Sequence, residues 1–527
     1  MKKEIFIITI VACAVYANTL RNGFVYDDLL TVVGNAFIKD AANLPSLFDR
    51  YSYFTLSGET SYRPVVTFTY FLDYLLFGLN AWGYHLTNIL LHVLNSILLY
   101  IFLVLLKVKS DARGREAEAS PLVLSLLFAA HPVLTEAVNA ISFREDLLAF
   151  LFYITTLCLY LVLSSNLKST PGHRLIYILS CITYFLALLS KEMAATLPLI
   201  IFCYTWIYRD KKKPLLPSLY IIAYIGVTAV YLYLRFYHFH YPSENIRAWE
   251  PIERVLTIPW LIMNYLKLTL FPVQLSADYV ISPVRSIFSI SFLLPMIAVT
   301  SLATAALALR KKRKGLSFGI FFLIITLIPV YNLIPIANPL AERYLYLPTV
   351  GSVIIVGSLL HLLFKDRNSS ILFLVILSIY TLLVVKKNAD WVDDYTLWND
   401  TIRKAPASTR AYKNLGWWSM KAGEYDEAIN AYRKSLSLND TQKDLHFNIG
   451  VMYSEMGRFD EAIQEFEKEL AIDPYHIKAR VNLGGVYGIQ GRYELAAREF
   501  KKALEIDPNN PMAVKNIGVA LEKMNQP

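Results

Sequence analysis

The chain has 527 residues, of which 55% are hydrophobic and 18% are charged, whereas soluble globular domains average about 25% charged residues. This composition argues against a wholly soluble protein, and the 35 Tyr and 29 Phe suit a chain that lies at membrane interfaces. All four cysteines lie within apolar runs, which argues against a disulfide scaffold and against a cysteine-ligated zinc site.

The net charge of +9 is unevenly distributed along the chain. Residues 1–387 carry 33 Lys and Arg against 21 Asp and Glu, a balance of +12. Residues 388–527 carry 18 against 21, a balance of −3. The basic excess belongs to the hydrophobic part, where it indicates membrane topology and not nucleic-acid binding.

Residues 1–387 are predicted to form a polytopic helical membrane domain with about eleven spans. Several apolar runs are shorter than the ~20 residues that cross the hydrocarbon core, but interfacial Tyr, Trp and Ser extend them. Two further runs, 65–79 with Asp73 and 256–272 with Pro259, are interpreted as interfacial or re-entrant segments. The predicted spans are 5–20, 86–106, 121–134, 147–164, 175–190, 193–208, 215–236, 289–309, 316–334, 348–364 and 370–385.

Basic clusters orient these spans. With eleven spans and a cytoplasmic N-terminus, every cluster falls on the cytoplasmic side, as the positive-inside rule requires. This topology predicts external loops at about 21–85 and 237–288, and it places the C-terminal part on the external side (periplasmic, extracellular or lumenal). A cleaved signal peptide is the alternative interpretation of residues 1–20. The clusters hold 19 of the 33 basic residues and lie at 2–3, 107–115, 168–174, 209–213, 310–314 and 365–367.

The first external loop contains two adjacent carboxylates, Asp27 and Asp28, shortly after the first span. Neighbouring side chains point in different directions, so one could act as a general base while the other orients a partner or stabilises the fold. The alternative is a solvated pair or a helix N-cap before Leu29. These residues alone leave both interpretations open.

Other charges recur at the outer ends of the predicted spans, on the same side as the acidic pair. Charge is costly near the membrane and often marks a site. Clustered Arg and Lys could hold a phosphate or pyrophosphate, although interhelical pairing or snorkelling is the alternative. The residues are Arg63, Glu136, Arg144, Glu145, Asp146, Lys191, Glu192, Glu342 and Arg343.

Two histidines, His85 and His92, are seven residues apart on a predicted helix and therefore share a face. Seven residues rise about 10.5 Å, which is too far for one metal ion. Both are interpreted as hydrogen-bonding residues, and His131 before Pro132 is interpreted as structural. The sequence predicts no metal site and no cofactor.

The C-terminal part repeats every 34 residues, with an Asn-Leu/Ile-Gly motif that begins at Asn414, Asn448 and Asn482. This period is typical of tetratricopeptide repeats. Such repeats stack into a concave face that suits an extended peptide, so these asparagines are predicted to bind a polypeptide; a passive spacer is the alternative. The predicted segments are a linker with a degenerate leading half-repeat at 388–408, repeats at 409–442, 443–476 and 477–510, and a capping helix at 511–527.

An acidic pair after the first span resembles the GT-C class of membrane glycosyltransferases. Its combination with external repeats resembles the transmembrane and tetratricopeptide-repeat (TMTC) family of protein O-mannosyltransferases. The stretches that carry this resemblance are 24–28, 61–64, 84–92, 131–144, 191–192 and 341–348.

The resemblance implies an inverting glycosyltransferase that moves a sugar, such as mannose, from a polyprenyl-phosphate donor to a Ser or Thr hydroxyl of a protein at the outer membrane face. It implies Asp27 as the general base with Asp28 supporting it, and it requires no metal. Arg or Lys would stabilise the departing lipid phosphate. The implied donor-phosphate ligands are Arg343, Arg144, Lys191 and Arg63, with Glu342, Glu145, Glu192 and His85 in support.

Three other functions remain as alternatives. A GT-C enzyme could act on a glycan or lipid, with the repeats docking a different protein. A non-enzymatic adaptor would need one anchoring span, not eleven. A flippase would place charges near the bilayer centre and would show two related halves, and neither feature is present in the sequence.

Overall fold

The structure is a computed structural model that describes residues 1–57, 61–110, 120–165, 171–208, 216–238, 249–364 and 366–525. It divides into two compact units, Met1–Asp393 and Asp394–Pro527. The described residues form helices and no β-strand, which confirms the predicted all-α fold. The basic cluster at 209–213 lies outside the described residues, as do residues 239–248 of the predicted second external loop and parts of the clusters at 107–115, 168–174 and 365–367.

The first unit contains helices at each of the eleven predicted spans. Two more helices, α3 and α11, occupy the runs that were interpreted as interfacial or re-entrant. The helices are α1 (Lys2–Tyr16), α2 (Arg50–Ser57), α3 (Pro64–Phe77), α4 (Ala81–Ser110), α5 (Pro121–Ala129), α6 (Thr135–Asn139), α7 (Arg144–Ser165), α8 (Pro171–Ser190), α9 (Leu197–Tyr208), α10 (Leu216–Tyr233), α11 (Pro251–Leu270), α12 (Ile290–Leu309), α13 (Lys314–Thr326), α14 (Thr349–Leu363) and α15 (Asp366–Asn388).

Seven helices in the described part of the chain are long and apolar enough to cross a membrane, and an eighth span results if the bent pair α5 and α6 counts as one. The other three predicted spans coincide with shorter apolar helices, Glu192–Tyr208, Lys314–Val330 and Thr349–Leu363. The predicted number of about eleven therefore exceeds the number of helices of spanning length. The seven are Lys2–Arg21, Ala81–Leu106, Ile141–Ser164, Gly172–Ser190, Tyr220–Tyr237, Ile290–Leu309 and Ser370–Trp391.

The bend of 49° between α5 and α6 has a local cause. Pro132 has no N–H to donate, so the helix stops before it. The His131 ring then caps the next turn, because its Nδ1 accepts the N–H of Val133 at 3.3 Å while its Nε2 donates to the carbonyl of Thr269 at 3.1 Å. These bonds support the structural role predicted for His131.

Every residue from 124 to 150 is buried, although this stretch contains several charged side chains. Buried charges require partners, because desolvation of an unpaired ion is expensive. Those partners come from distant parts of the chain, and they form the candidate site described below.

The second unit consists of paired antiparallel helices, as the 34-residue period predicts. In each complete repeat a glycine of the first helix receives an aromatic ring of the second, and a Cβ at these glycines would lie only 2.6–2.8 Å from that ring. The pairs are Gly416–Tyr432, Gly450–Phe466 and Gly484–Phe500. The helices are α16 (Asp394–Lys404), α17 (Thr409–Ala422), α18 (Tyr425–Leu438), α19 (Leu445–Glu455), α20 (Phe459–Ile472), α21 (Ile477–Ile489), α22 (Tyr493–Ile506) and α23 (Pro511–Met524).

Candidate functional site

The loop of residues 22–28, here called the acid loop, follows α1 and is fixed at several points. The Asn22 side chain donates to Asn139 and to the carbonyl of Asn388, each at 3.1 Å. The Gly23 carbonyl lies 3.3 Å from Nε2 of His85, a predicted supporting residue that is fully buried at the start of α4. His85 therefore helps to position the acid loop.

The two carboxylates of the acid loop have different environments. Asp28 is buried, with Oδ1 accepting the N–H of Ser142 at 2.7 Å and Oδ2 accepting the N–H of Val25 at 3.2 Å. Burial raises the pKa of the Asp28 carboxyl to about 7, although these hydrogen bonds oppose the shift. Asp28 thus ties the acid loop to the turn before α7.

Asp27 is only half-buried, and its backbone carbonyl accepts the N–H groups of Leu30 and Thr31. Tyr26 before it has a positive φ of 58°, an uncommon conformation for a residue with a side chain. The Tyr26 ring packs edge-on against Phe143 at 5.9 Å. Burial lowers the pKa of Arg343, but the charge of Glu136 and, to a smaller extent, that of Asp27 raise it above its usual range.

Arg343 is buried next to the acid loop, and Glu136 holds it. Its backbone N–H donates to Glu136 Oε2 at 2.8 Å and its Nη1 donates to Oε1 at 2.6 Å. The guanidinium lies 4.3 Å from the centre of the Phe143 ring. Its Nε and Nη2 groups have no hydrogen-bond partner among the described residues. Arg343 therefore keeps donors for a ligand while Glu136 fixes its position.

Glu342 points away from Arg343, towards the segment after α11. It accepts the N–H of Ser276 and the hydroxyl of Tyr279, the latter at 2.6 Å. Burial raises the pKa of Glu342 to about 7, against the opposing charge of Lys387. Glu342 thus positions part of the predicted second external loop.

A second group of charges, here called the Lys191 cluster, lies at the ends of α3, α7, α8 and α10. Lys191 contacts Asp146 at 2.5 Å and Glu145 at 2.9 Å. Its ammonium lies 5.1 Å from the Tyr344 ring, whose other neighbour is Arg343 at 5.0 Å. This ring therefore links the cluster to Arg343. The members are Arg63, Glu145, Asp146, Lys191, Glu192 and Arg235, and Arg63 pairs with both glutamates.

Arg144, a predicted phosphate ligand, is completely enclosed. Its Nε donates to Asn88 Oδ1 at 2.7 Å, its Nη2 lies 2.6 Å from Asp73 Oδ2, and Nη1 donates to Thr69 at 3.2 Å. The side chain has no exposed surface. This arrangement favours a structural role for Arg144, in contrast to the open donors of Arg343.

The three predicted acceptor-binding asparagines are all half-buried on the first helices of the repeats. Asn448 donates to the Tyr432 hydroxyl at 3.5 Å, and Asn482 donates to the carbonyl of Lys478 at 2.8 Å. The equivalent position in the first repeat is Asn414.

Among the described residues, one set of side chains has the spacing for a metal ion, formed by Asp444, Glu469 and His476 in the repeats. Hydrogen bonds account for its geometry. His476 Nδ1 accepts the N–H of Ala479, so Nε2 carries the proton and donates to Asp444 at 2.9 Å. Glu469 accepts the N–H groups of Asp444 and Phe447. These side chains act as caps at the helix ends.

Sequence reasoning missed several partners that define the site. Glu136 was recognised only as one charge among many, and Arg235 and Asp73 were not assigned to any pair. Arg343 and Glu136 are 207 residues apart, and no local pattern joins residues at such a separation. One pattern in the sequence does indicate such a partner. Asn88, which accepts a hydrogen bond from Arg144, lies on the same helix face as His85 and His92.

The repeats match two family models. Residues 444–509 match the model described as tetratricopeptide repeat, and residues 420–457 match the one described as TPR repeat. The predicted repeats are thereby confirmed. The Arabidopsis OM64 TPR domain is 25% identical, covers 22% of this chain and 94% of its own length, and has a TM-score of 0.21.

The predicted resemblance to the TMTC family is also confirmed. Protein O-mannosyl-transferase TMTC3 of Homo sapiens is 26% identical over 86% of this chain and 53% of its own length. Protein O-mannosyl-transferase Tmtc3 of Drosophila melanogaster is 24% identical over 84% of this chain and 56% of its own length. Protein O-mannosyl-transferase TMTC1 of Homo sapiens is 25% identical over 84% of this chain and 56% of its own length. The chain thus spans about half the length of the curated relatives it matches.

Proposed function

We propose that this chain is a membrane glycosyltransferase that moves a sugar, such as mannose, from a polyprenyl-phosphate donor to a Ser or Thr hydroxyl of a protein. The names of its relatives support this reaction class. The observation that carries the proposal is geometric. The Phe143 ring contacts both the Tyr26 ring, next to the half-buried Asp27, at 5.9 Å and the Arg343 guanidinium at 4.3 Å, and Arg343 keeps donors without a partner among the described residues.

Asp27 is the general base of this reaction. As the acceptor hydroxyl attacks the anomeric carbon, its proton passes to Asp27, a C–O bond forms to the acceptor, and the bond from that carbon to the phosphate oxygen breaks with inversion. Asp28 supports Asp27 by anchoring the acid loop, because both Asp28 oxygens already accept backbone N–H groups.

Arg343 binds the donor phosphate. A lipid phosphate is already a good leaving group, so the enzyme must stabilise the charge that develops on its oxygens and need not protonate them. The Nε and Nη2 groups of Arg343 can form a bidentate pair with phosphate oxygens while Glu136 keeps its contacts at 2.6 and 2.8 Å.

The Lys191 cluster supports the donor site from the other side of Tyr344. Within it, Lys191 and Arg63 pair with Glu145, Asp146 and Glu192, so a phosphate would gain their charge only by competing with these carboxylates. We therefore rank both below Arg343 as phosphate ligands, and Arg144 acts by holding Asn88 and Asp73.

The proposed topology has a cytoplasmic N-terminus and places both the acid loop and the repeats on the external side of the membrane. The basic clusters at the other span ends support this orientation. In that arrangement the repeats bind the protein acceptor, with Asn414, Asn448 and Asn482 as hydrogen-bonding residues of their first helices.

The test is a transfer assay with the full chain in detergent, using polyprenyl-phosphate mannose labelled in the sugar and peptides rich in Ser and Thr. The expected result is labelled peptide from the unmodified chain and at least about a hundredfold less from Asp27→Asn. The matched control is Asp40→Asn, which alters an exposed carboxylate outside the acid loop but within the predicted first external loop, and which keeps a residue able to cap the following helix.

Three outcomes would contradict the proposal or part of it. Equal transfer by Asp27→Asn and the unmodified chain would remove Asp27 as the base. Peptide binding without transfer from any polyprenyl-phosphate sugar would favour a membrane-anchored adaptor. Transfer to glycan or lipid acceptors but not to peptides would keep the enzyme class and overturn the protein acceptor.

A further inference from the structure

Tyr344 lies between the Lys191 cluster and Arg343. The Lys191 ammonium is 5.1 Å from the centre of the Tyr344 ring, and the Arg343 guanidinium is 5.0 Å from it. Tyr344 is half-buried, whereas every other residue from 341 to 350 is buried. Two positive charges therefore hold the ring of the one accessible residue in a stretch that is otherwise enclosed.

The hydroxyl of Tyr344 differs from those of three tyrosines that belong to residues 339–346 or contact them. Each of those three hydroxyls is bonded to another residue of the protein. The Tyr344 hydroxyl has no hydrogen-bond partner among the described residues, so it is available to a ligand. The three bonded pairs are Tyr265 with the carbonyl of Pro339 at 2.8 Å, Tyr279 with Glu342 at 2.6 Å, and Tyr346 with His92 at 2.7 Å.

We propose that the Tyr344 hydroxyl donates a hydrogen bond to the donor phosphate that Arg343 binds. This assignment rests on the proposed function and adds a donor-binding residue to the same site. The two positive charges beside the ring favour an anion at the hydroxyl over the neutral hydroxyls of a sugar. Because the phosphate is charged, the bond is stronger than a bond between neutral groups.

The contacts of Lys191 explain why a neutral donor is useful at this position. Its ammonium is bound to Asp146 at 2.5 Å and to Glu145 at 2.9 Å, and its side chain is only 3% exposed. Lys191 therefore acts on a phosphate mainly through its charge. Tyr344 supplies an O–H group beside that charge, and its bond strengthens as negative charge develops on the departing phosphate.

The experiment measures equilibrium binding of fluorescent polyprenyl phosphate, with and without mannose, to the full chain in detergent. Tyr344→Phe keeps the ring between the two cations and removes only the hydroxyl. We expect the dissociation constants of both ligands to rise by about tenfold or more, the usual contribution of a hydrogen bond to a charged group. Polyprenol, which lacks the phosphate, should bind the variant and the unmodified chain equally. The matched control is Tyr51→Phe, at a tyrosine that is 78% exposed, and it should leave all three affinities unchanged.

Equal affinity of polyprenyl phosphate for Tyr344→Phe and the unmodified chain would overturn this contact and leave the proposed function in place. Weaker binding of the mannose-bearing ligand alone would also overturn it, because the hydroxyl would then contact the sugar. Weaker binding of polyprenol would do the same, since the substitution would then disturb the lipid site and not one hydrogen bond. If the unmodified chain bound neither phosphate ligand, the proposed function itself would fail, and this contact with it.

Discussion

The two units of the molecule use charge in opposite ways. In the first unit several ion pairs are buried and join distant parts of the chain, as Arg343 and Glu136 do across 207 residues at 2.6 Å. In the repeats many pairs lie within one helix turn and are exposed on at least one side, as in Lys468 with Glu465 at 2.8 Å. A buried pair is costly to form and costlier to break, whereas an exposed pair contributes little.

This difference shows which interactions determine the structure of each unit. The repeats obtain their shape from glycines and rings, and their charges mainly keep the surface solvated. The first unit buries charged side chains at the ends of its helices, although desolvation makes this costly. Charged groups that are buried despite the cost of desolvation concentrate at functional sites. Arg343 and the Lys191 cluster are therefore the candidates for the catalytic chemistry.

The largest expected stability effect comes from Arg144→Met. It leaves the buried Asp73 carboxylate without its partner at 2.6 Å, and breaking a buried pair typically costs about 3–5 kcal/mol. The free energy of unfolding, measured by chemical denaturation in detergent, should fall by that amount. The double variant Arg144→Met with Asp73→Leu should recover most of it, and failure to recover would show that the pair is not the cause.

A smaller effect is expected from Gly450→Ala in the repeats. The added Cβ would lie 2.7 Å from the Phe466 ring, and such overpacking typically costs about 1–3 kcal/mol. The control is Gly518→Ala, where no heavy atom of the described residues lies within 4 Å of the added Cβ and the better helix propensity of alanine should add up to about 1 kcal/mol. Equal destabilisation by both variants would contradict the packing described for the glycine and ring pairs.

The acid loop should make stability depend on pH. Because burial raises the pKa of Asp28 to about 7, the folded chain holds this proton more tightly than the unfolded chain does. The free energy of unfolding should therefore decrease as pH rises from about 4 to about 7, by at most about 1.4 kcal/mol per pH unit. Asp28→Asn should flatten this dependence and Asp40→Asn should not. An unchanged profile in Asp28→Asn would mean that Asp28 is not the titrating group.

The smallest effect is expected from Arg458→Ala. Arg458 pairs with Glu461 three residues later, and both side chains are exposed. Exposed pairs contribute about 0–1 kcal/mol, so the melting temperature of the full chain should move by no more than a few degrees. A loss as large as that of Arg144→Met would remove the contrast between the two units.

The sequence alone predicts what depends on local periodicity. The apolar runs locate helices at all eleven predicted spans, and the 34-residue period locates the repeats because each glycine meets a ring only sixteen residues later. Tertiary partners are not encoded locally. Nothing near Arg343 identifies Glu136 as its partner, and nothing near Asp28 shows that it turns towards Ser142.

The central claim is that Asp27 supplies the base while Arg343 holds the donor. It is tested most directly by measuring, on Asp27→Asn, both the dissociation constant of the polyprenyl-phosphate sugar and the turnover at saturating donor. The account predicts an unchanged dissociation constant and a turnover reduced by about 10²–10⁴-fold, the usual contribution of a general base. Turnover within about twofold of the unmodified chain, far below that contribution, would contradict it.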